Sequence, residues 1–135
     1  MREIDDFILN WGEESLDVKD IFADLYSFLQ KQSAVTLGWS ARPGISYSLR
    51  LSAANPPAER PFFAMLDIID DDPEERWISM CMYADMADDP DGKGDVVPKG
   101  LNNQDALCFD IDENDEEICG YLKGVLQRMI DRVNS

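Results

Sequence analysis

Between Pro61 and Ala84 the chain reads Pro-Phe-Phe-Ala-Met-Leu-Asp-Ile-Ile, then Asp-Asp-Asp-Pro-Glu-Glu, then Arg-Trp-Ile-Ser-Met-Cys-Met-Tyr-Ala. Two apolar runs of strand length flank a short acidic turn. Continuous apolar runs of this length suit strands buried on both faces, at the centre of a sheet. Residues 62–69 and 77–84 are therefore expected to form a central hairpin. The rest of the chain must extend or cover it.

On the N-terminal side, Ile4, Phe7, Ile8 and Trp11 recur at helical spacing and predict a short amphipathic helix ending near Gly12. A second helix carries Val18, Ile21, Phe22, Leu25, Phe28 and Leu29 on one face, with Ser15 or Asp17 as candidate cap. So wide an apolar stripe calls for a sheet beneath it. Residues 34–40 form a strand with Val35, Leu37 and Trp39 on one face, and Arg42-Pro-Gly44 is a turn signal. Ile45, Tyr47, Leu49 and Leu51 then alternate with Ser46, Ser48, Arg50 and Ser52, so one face of this strand meets water or a ligand. Residues 55–60 contain adjacent prolines and form a loop.

After the hairpin, residues 85–105 are polar and punctuated by Gly92, Gly94, Gly100, Pro90 and Pro98. They are read as a long loop, with Val96-Val97 packing down in its middle. A loop of this length is functional, mobile or a misread element. Residues 106–111 form the fifth strand. Asp112 or Asn114 caps a last helix with Ile118, Leu122, Val125, Met129 and Val133 on its buried stripe. The expected fold is a single α+β domain over residues 1–135. An antiparallel sheet of about five strands carries N-terminal and C-terminal helices on one face, in the order α-α-β-β-β-β-β-α.

Charge is the strongest functional signal. The formal net charge is −16, and residues 67–117 hold 18 acids against 3 bases. Such a field repels nucleic-acid phosphates and attracts basic proteins, basic peptides or divalent cations. A solvated acidic surface that keeps the chain soluble is the plain alternative. If the last three predicted strands run antiparallel, the turn at 70–75 and the helix start at 112–117 share one end of the sheet. That end becomes an acidic pole of Asp70, Asp71, Asp72, Glu74, Glu75, Asp112, Glu113, Asp115, Glu116 and Glu117, a candidate surface for a basic partner.

Histidine is absent, which excludes Ser-His and Cys-His nucleophile pairs and the usual catalytic zinc sites. Cys81, Cys108 and Cys119 are odd in number and form no C-x-x-C, so they are read as buried apolar residues in a reducing compartment. The alternative, a reactive thiol, is opposed by acidic surroundings that raise a thiol's pKa. No apolar run reaches the roughly 18 residues that span a bilayer, and the start lacks a signal peptide's apolar segment. The expectation is a cytoplasmic protein without membrane partners.

Three smaller constellations remain. Asp89, Asp91 and Asp95 lie in the glycine-rich loop as a cation site, although both EF-hand registers fail. No phosphate-loop or dinucleotide motif is present, and no cofactor is expected. Trp39, Arg42 and Arg50 suggest a ligand site on an exposed sheet face, where arginine beside an aromatic suits a carboxylate or peptide. Asp67 interrupts an apolar strand and is the one carboxylate with a claim to be buried and perturbed.

The second half of the N-terminal helical segment, the Gly38-Trp39 strand, the Tyr47-Ser-Leu-Arg-Leu-Ser52 strand and the acid-capped final helix together resemble the YdhG-like group of small α+β domains. The resemblance covers residues 20–133 and concerns element order. It implies a sheet with helices on one side, and it carries no activity and no functional residues.

Overall fold

The computed structural model describes residues 1–12 and 16–134. Three helices and six strands follow in the order α1 (Arg2–Leu9), α2 (Lys19–Gln30), β1 (Val35–Arg42), β2 (Ser46–Ala53), β3 (Ala64–Ile69), β4 (Trp77–Tyr83), β5 (Asp95–Leu101), β6 (Gln104–Ile111) and α3 (Glu116–Val133). The strands make one antiparallel sheet, ordered β1-β2-β3-β4-β6-β5, so β3 and β4 form its central hairpin. This is the expected α+β class with helices at both ends of the chain. Among the described residues the strand count is six, because Asp95–Leu101 is a strand inside the segment read as loop. Its period-2 signal is erased by Pro98, Gly100 and a register irregularity between Val97 and Leu101. Val96 and Val97 do not pack down. They are 61% and 41% exposed on this edge strand.

One face of the sheet is covered. Leu49, Leu51, Leu66, Ile68, Ile78, Met80, Met82, Phe109 and Ile111 are buried there with Phe22, Leu25 and Leu29 of α2 and Leu122, Val125 and Met129 of α3. The period-2 pattern of each strand and the helical stripes thus meet in a single core. The central strands, expected to be buried on both faces, instead alternate buried and half-buried along their length. Met65, Ile69, Trp77 and Cys81 point to the uncovered side and are only partly shielded. At one end of that side Tyr83, Leu101 and Ala106 form a second, smaller core with Phe62, Met65, Cys81 and Cys108 against it.

The capping expectations needed correction. The cap of α3 is Asp115, whose Oδ1 accepts the N–H groups of Glu117 and Ile118 at 3.0 and 3.2 Å. Neither Asp112 nor Asn114 has that place. Val18 occupies the cap position of α2 without a side-chain bond, so Asp17 does not cap it, and Ser15 lies outside the described residues. Gly44 adopts φ +82° in the turn between β1 and β2, as its place after proline predicts. No helix among the described residues is long and apolar enough to cross a membrane.

Candidate functional site

The antiparallel pairing of β3, β4 and β6 decides where the acids gather. Ile69 pairs with Trp77 across the hairpin, and Ile78 pairs with Ile111, so the turn after β3 and the segment after β6 leave the sheet at the same end. Between them lies a concavity of about 600 Å³ lined by Asp17, Glu74, Glu75, Arg76, Trp77, Asp110 and Asp112. A neighbouring hollow of about 220 Å³ shares Asp110 and Asp112 and adds Lys93, Glu113, Asp115 and Glu117. Asp71, Asp72, Glu74, Glu75, Asp112, Glu113, Glu116 and Glu117 are all exposed.

Two members of the predicted pole are committed elsewhere. Asp115 serves the helix cap described above. Asp70 turns inward and is 3% exposed. Its Oδ1 accepts from Arg76 Nε at 2.7 Å, and its Oδ2 accepts the Gly44 N–H at 2.9 Å. Arg76 also donates to the Trp11 carbonyl at 3.1 Å and lies over the rings of Trp11, Phe7 and Tyr47 at 5.1, 5.3 and 5.7 Å. The pair fastens α1 and the β1–β2 turn to the start of β4. The exposed acidic surface is correspondingly made without Asp70.

Sequence reading missed Asp17 and Asp110 as cleft residues. Asp110 was recoverable: it pairs with Ser79, two residues along β4 from Trp77, and the period-2 rule places all three on the uncovered side. Asp17 sits in the connection between α1 and α2, and nothing in its local pattern marks it.

The ligand set of Trp39, Arg42 and Arg50 is not brought together. Trp39 pairs with Leu49 on the helix-covered face and packs against Phe7, Phe22 and Tyr47. Arg42 and Arg50 lie on the other side, where Arg42 donates to Ser46 Oγ at 3.3 Å and Arg50 stacks over Phe62 at 5.5 Å. The split follows from strand parity, since odd and even positions of β1 face opposite ways.

The cation set separates too. Asp89 Oδ1 accepts the Lys93 N–H at 3.0 Å and the Tyr121 hydroxyl, while Oδ2 accepts the Gly94 N–H at 2.9 Å. Burial pushes the Asp89 carboxyl up, but these bonds outweigh it and leave the pKa lowered. Asp89 thus organises its own loop. Among the described residues no group of three or more His, Cys, Asp or Glu is placed to hold a metal ion.

Asp67 is buried to a degree its neighbours explain. It faces the uncovered side between Ser48 and Ser79, and its Oδ1 has no hydrogen-bond partner. Burial raises its pKa, and the Ser48 hydroxyl with the charges of Arg50 and Arg42 offsets only part of the rise.

Cys119 is buried as read, but Cys81 and Cys108 overturn the reading of unbridged thiols. Cys81 and Cys108 face each other in register across β4 and β6, with Cα atoms 4.2 Å apart, and form a disulfide. That separation matches the closer class of directly opposed antiparallel pairs. Sequence spacing could not reveal it, because the partner is set by a strand crossover. Cys119 remains a free, buried thiol, pushed up to about 11 by burial and by Asp24.

No family model matches this chain, and no curated protein or solved structure matches it.

Proposed function

We propose that this protein is a non-enzymatic interaction module that engages a basic segment of a partner protein through the cleft between the β3–β4 turn and the β6–α3 connection. The observation that carries this reading is the concavity of about 600 Å³, in which Glu74, Glu75, Asp110, Asp112 and Asp17 line the walls with Trp77 and with Arg76, whose charge is paired with Asp70. A lysine or arginine side chain entering it meets carboxylates on two sides and an aromatic wall, the combination that favours a cation. Like charges held this close repel one another, so a basic occupant also relieves a cost of the free state. An inhibitor, immunity or chaperone role toward a basic client fits this physics.

The test is a pull-down at low salt with a salt-step elution, repeated with Glu74→Gln, Glu75→Gln, Asp110→Asn and Asp112→Asn combined. A basic protein released by salt and lost from the variant supports the reading. Retention by the variant, or an affinity indifferent to salt, sinks it. We further propose a cytoplasmic location. In that compartment the Cys81–Cys108 pair stands reduced for most of its life, which thiol trapping before lysis reads directly.

A further inference from the structure

The side of the sheet away from the helices sorts its charges. Register lines up Arg50, Met65, Cys81, Cys108 and Asp95 in one row across it. The next row, toward the cleft, runs Ser48, Asp67, Ser79 and Asp110. Among the described residues, strand parity has β1 and β2 turn Arg42 and Arg50 to this side and no acid. β6, and β5 as far as Val97, turn Asp95 and Asp110 to it and no base. Those four side chains are exposed, and none of the ion pairs among the described residues involves them. Between the two flanks the central hairpin presents Met65, Ile69, Trp77 and Cys81, each only partly shielded. Asp67 interrupts this middle, and its Oδ1 is shut from solvent without a hydrogen-bond partner.

A basic flank, an apolar middle and an acidic flank make a surface complementary to itself. We propose that two copies of this chain pair through it, sheet on sheet. The two-fold axis runs parallel to the strands, over the gap between β3 and β4. With the strand order β1-β2-β3-β4-β6-β5, that axis lays β2 of one copy on β6 of the other, and β3 on β4. Arg50 then faces the flank of Asp95 and Asp110 on the second copy, and the contact repeats by symmetry. Ile69 meets Trp77, and Ser79 brings a hydroxyl opposite the unpartnered oxygen of Asp67. An axis across the strands would instead stack β2 on β2 and set arginine against arginine, which like-charge repulsion disfavours.

The packing is the aligned kind, in which side chains of two sheets about 10 Å apart interdigitate. The far end of the face adds nothing, since Phe62 and Leu101 already pack there. Six strands at roughly 4.8 Å spacing and about six residues at roughly 3.3 Å leave about 500 Å² per copy. The pair buries about 1,000 Å², the lower limit for a specific interface.

The experiment is sedimentation velocity over a concentration series at about 0.15 M salt, where charges beyond roughly 8 Å are screened and the acidic ends repel little. The unaltered chain sediments as a dimer of its 15.3 kDa unit. Arg50→Asp and Asp95→Arg each weaken self-association about tenfold or more, because facing flanks then repel. Neither position lines the acidic cleft, so the two proposals stand or fall separately. An equimolar mixture of the two variants restores the dimer, because each supplies the charge the other lacks. A chain that stays monomeric up to about 1 mM, a dimer indifferent to both substitutions, or a mixture that stays monomeric each overturns the proposal. Should a variant fail to fold, NMR of the unaltered chain decides. The Met65 and Ile69 methyls shift with concentration and those of Leu9 on α1 do not, and the converse overturns the proposal.

Discussion

The two ends of the sheet treat their arginines in opposite ways. At the cleft end the Arg76 side chain is turned inward, 11% exposed, against an Asp70 side chain that is 5% exposed. At the far end Arg60 and Arg128 meet Asp85 and Asp88 near the surface, where those carboxylates are 67% and 49% exposed. An inward pair ties elements together but contributes little to the surface field. Outward pairs neutralise the surface but contribute little to stability. Among the described residues the exposed carboxylates of the cleft end make no such ion pair, whereas Asp85 and Asp88 at the far end do. Net charge alone would not have distinguished them.

Breaking the inward pair gives the largest expected effect. Asp70→Ala removes the 2.7 Å bond from Arg76 in a nearly buried setting and leaves the Gly44 N–H without its acceptor, and should cost about 3–5 kcal/mol in urea denaturation. The matched change at the far end, Asp88→Ala, should cost no more than about 1 kcal/mol. Equal losses at the two ends would remove the distinction.

Next in size is the disulfide. It joins β4, which brings Trp77 to the cleft, to β6, which brings Asp110. Opening it frees a loop with a sequence separation of 27, and should cost about 2–4 kcal/mol. Urea midpoints with and without reductant measure this. If reduction leaves stability unchanged, the bridge contributes nothing to holding the two walls of the cleft together.

How much of this was legible follows from where the information sits. The central hairpin and the covered face were readable because Leu49, Leu66, Met80 and their strand neighbours repeat with the period of their element. The acidic end was readable once β3, β4 and β6 were taken as antiparallel, because connection lengths constrain which strand ends meet. Strand β5 was not readable: an edge strand buries little, so nothing enforced an alternating pattern through Pro98 and Gly100. The Trp39–Arg50 pairing failed on parity alone, one residue's difference in facing. The Cys81–Cys108 bridge and the inward turn of Asp70 depend on partners far along the chain, and no local signal encodes them.

The smallest effects separate two carboxylates by the sign of their pH dependence. Asp67, mid-sheet, has its pKa raised above the ordinary 3.8 by burial. It binds its proton more tightly folded than unfolded, so its contribution to stability is present below that value and is lost as pH rises through the folded pKa. Asp67→Asn should thus stabilise the protein at neutral pH, by on the order of 1 kcal/mol, and make no difference in acid. Asp85, at the far end, runs the other way. The bond from Arg60 holds its carboxyl below the ordinary 3.8 against the cost of burial. Its contribution is present above that value and is lost as pH falls through the folded pKa. Asp85→Asn should therefore destabilise at neutral pH by less than about 1 kcal/mol, since the carboxylate is mostly in solvent, and the difference should vanish in acid. Denaturation of both variants at matched pH values should give curves of opposite sign that converge on the wild type at low pH. If both were to destabilise at neutral pH, Asp67 would be a bonded carboxylate after all, and the unpartnered oxygen on the uncovered face would need a partner.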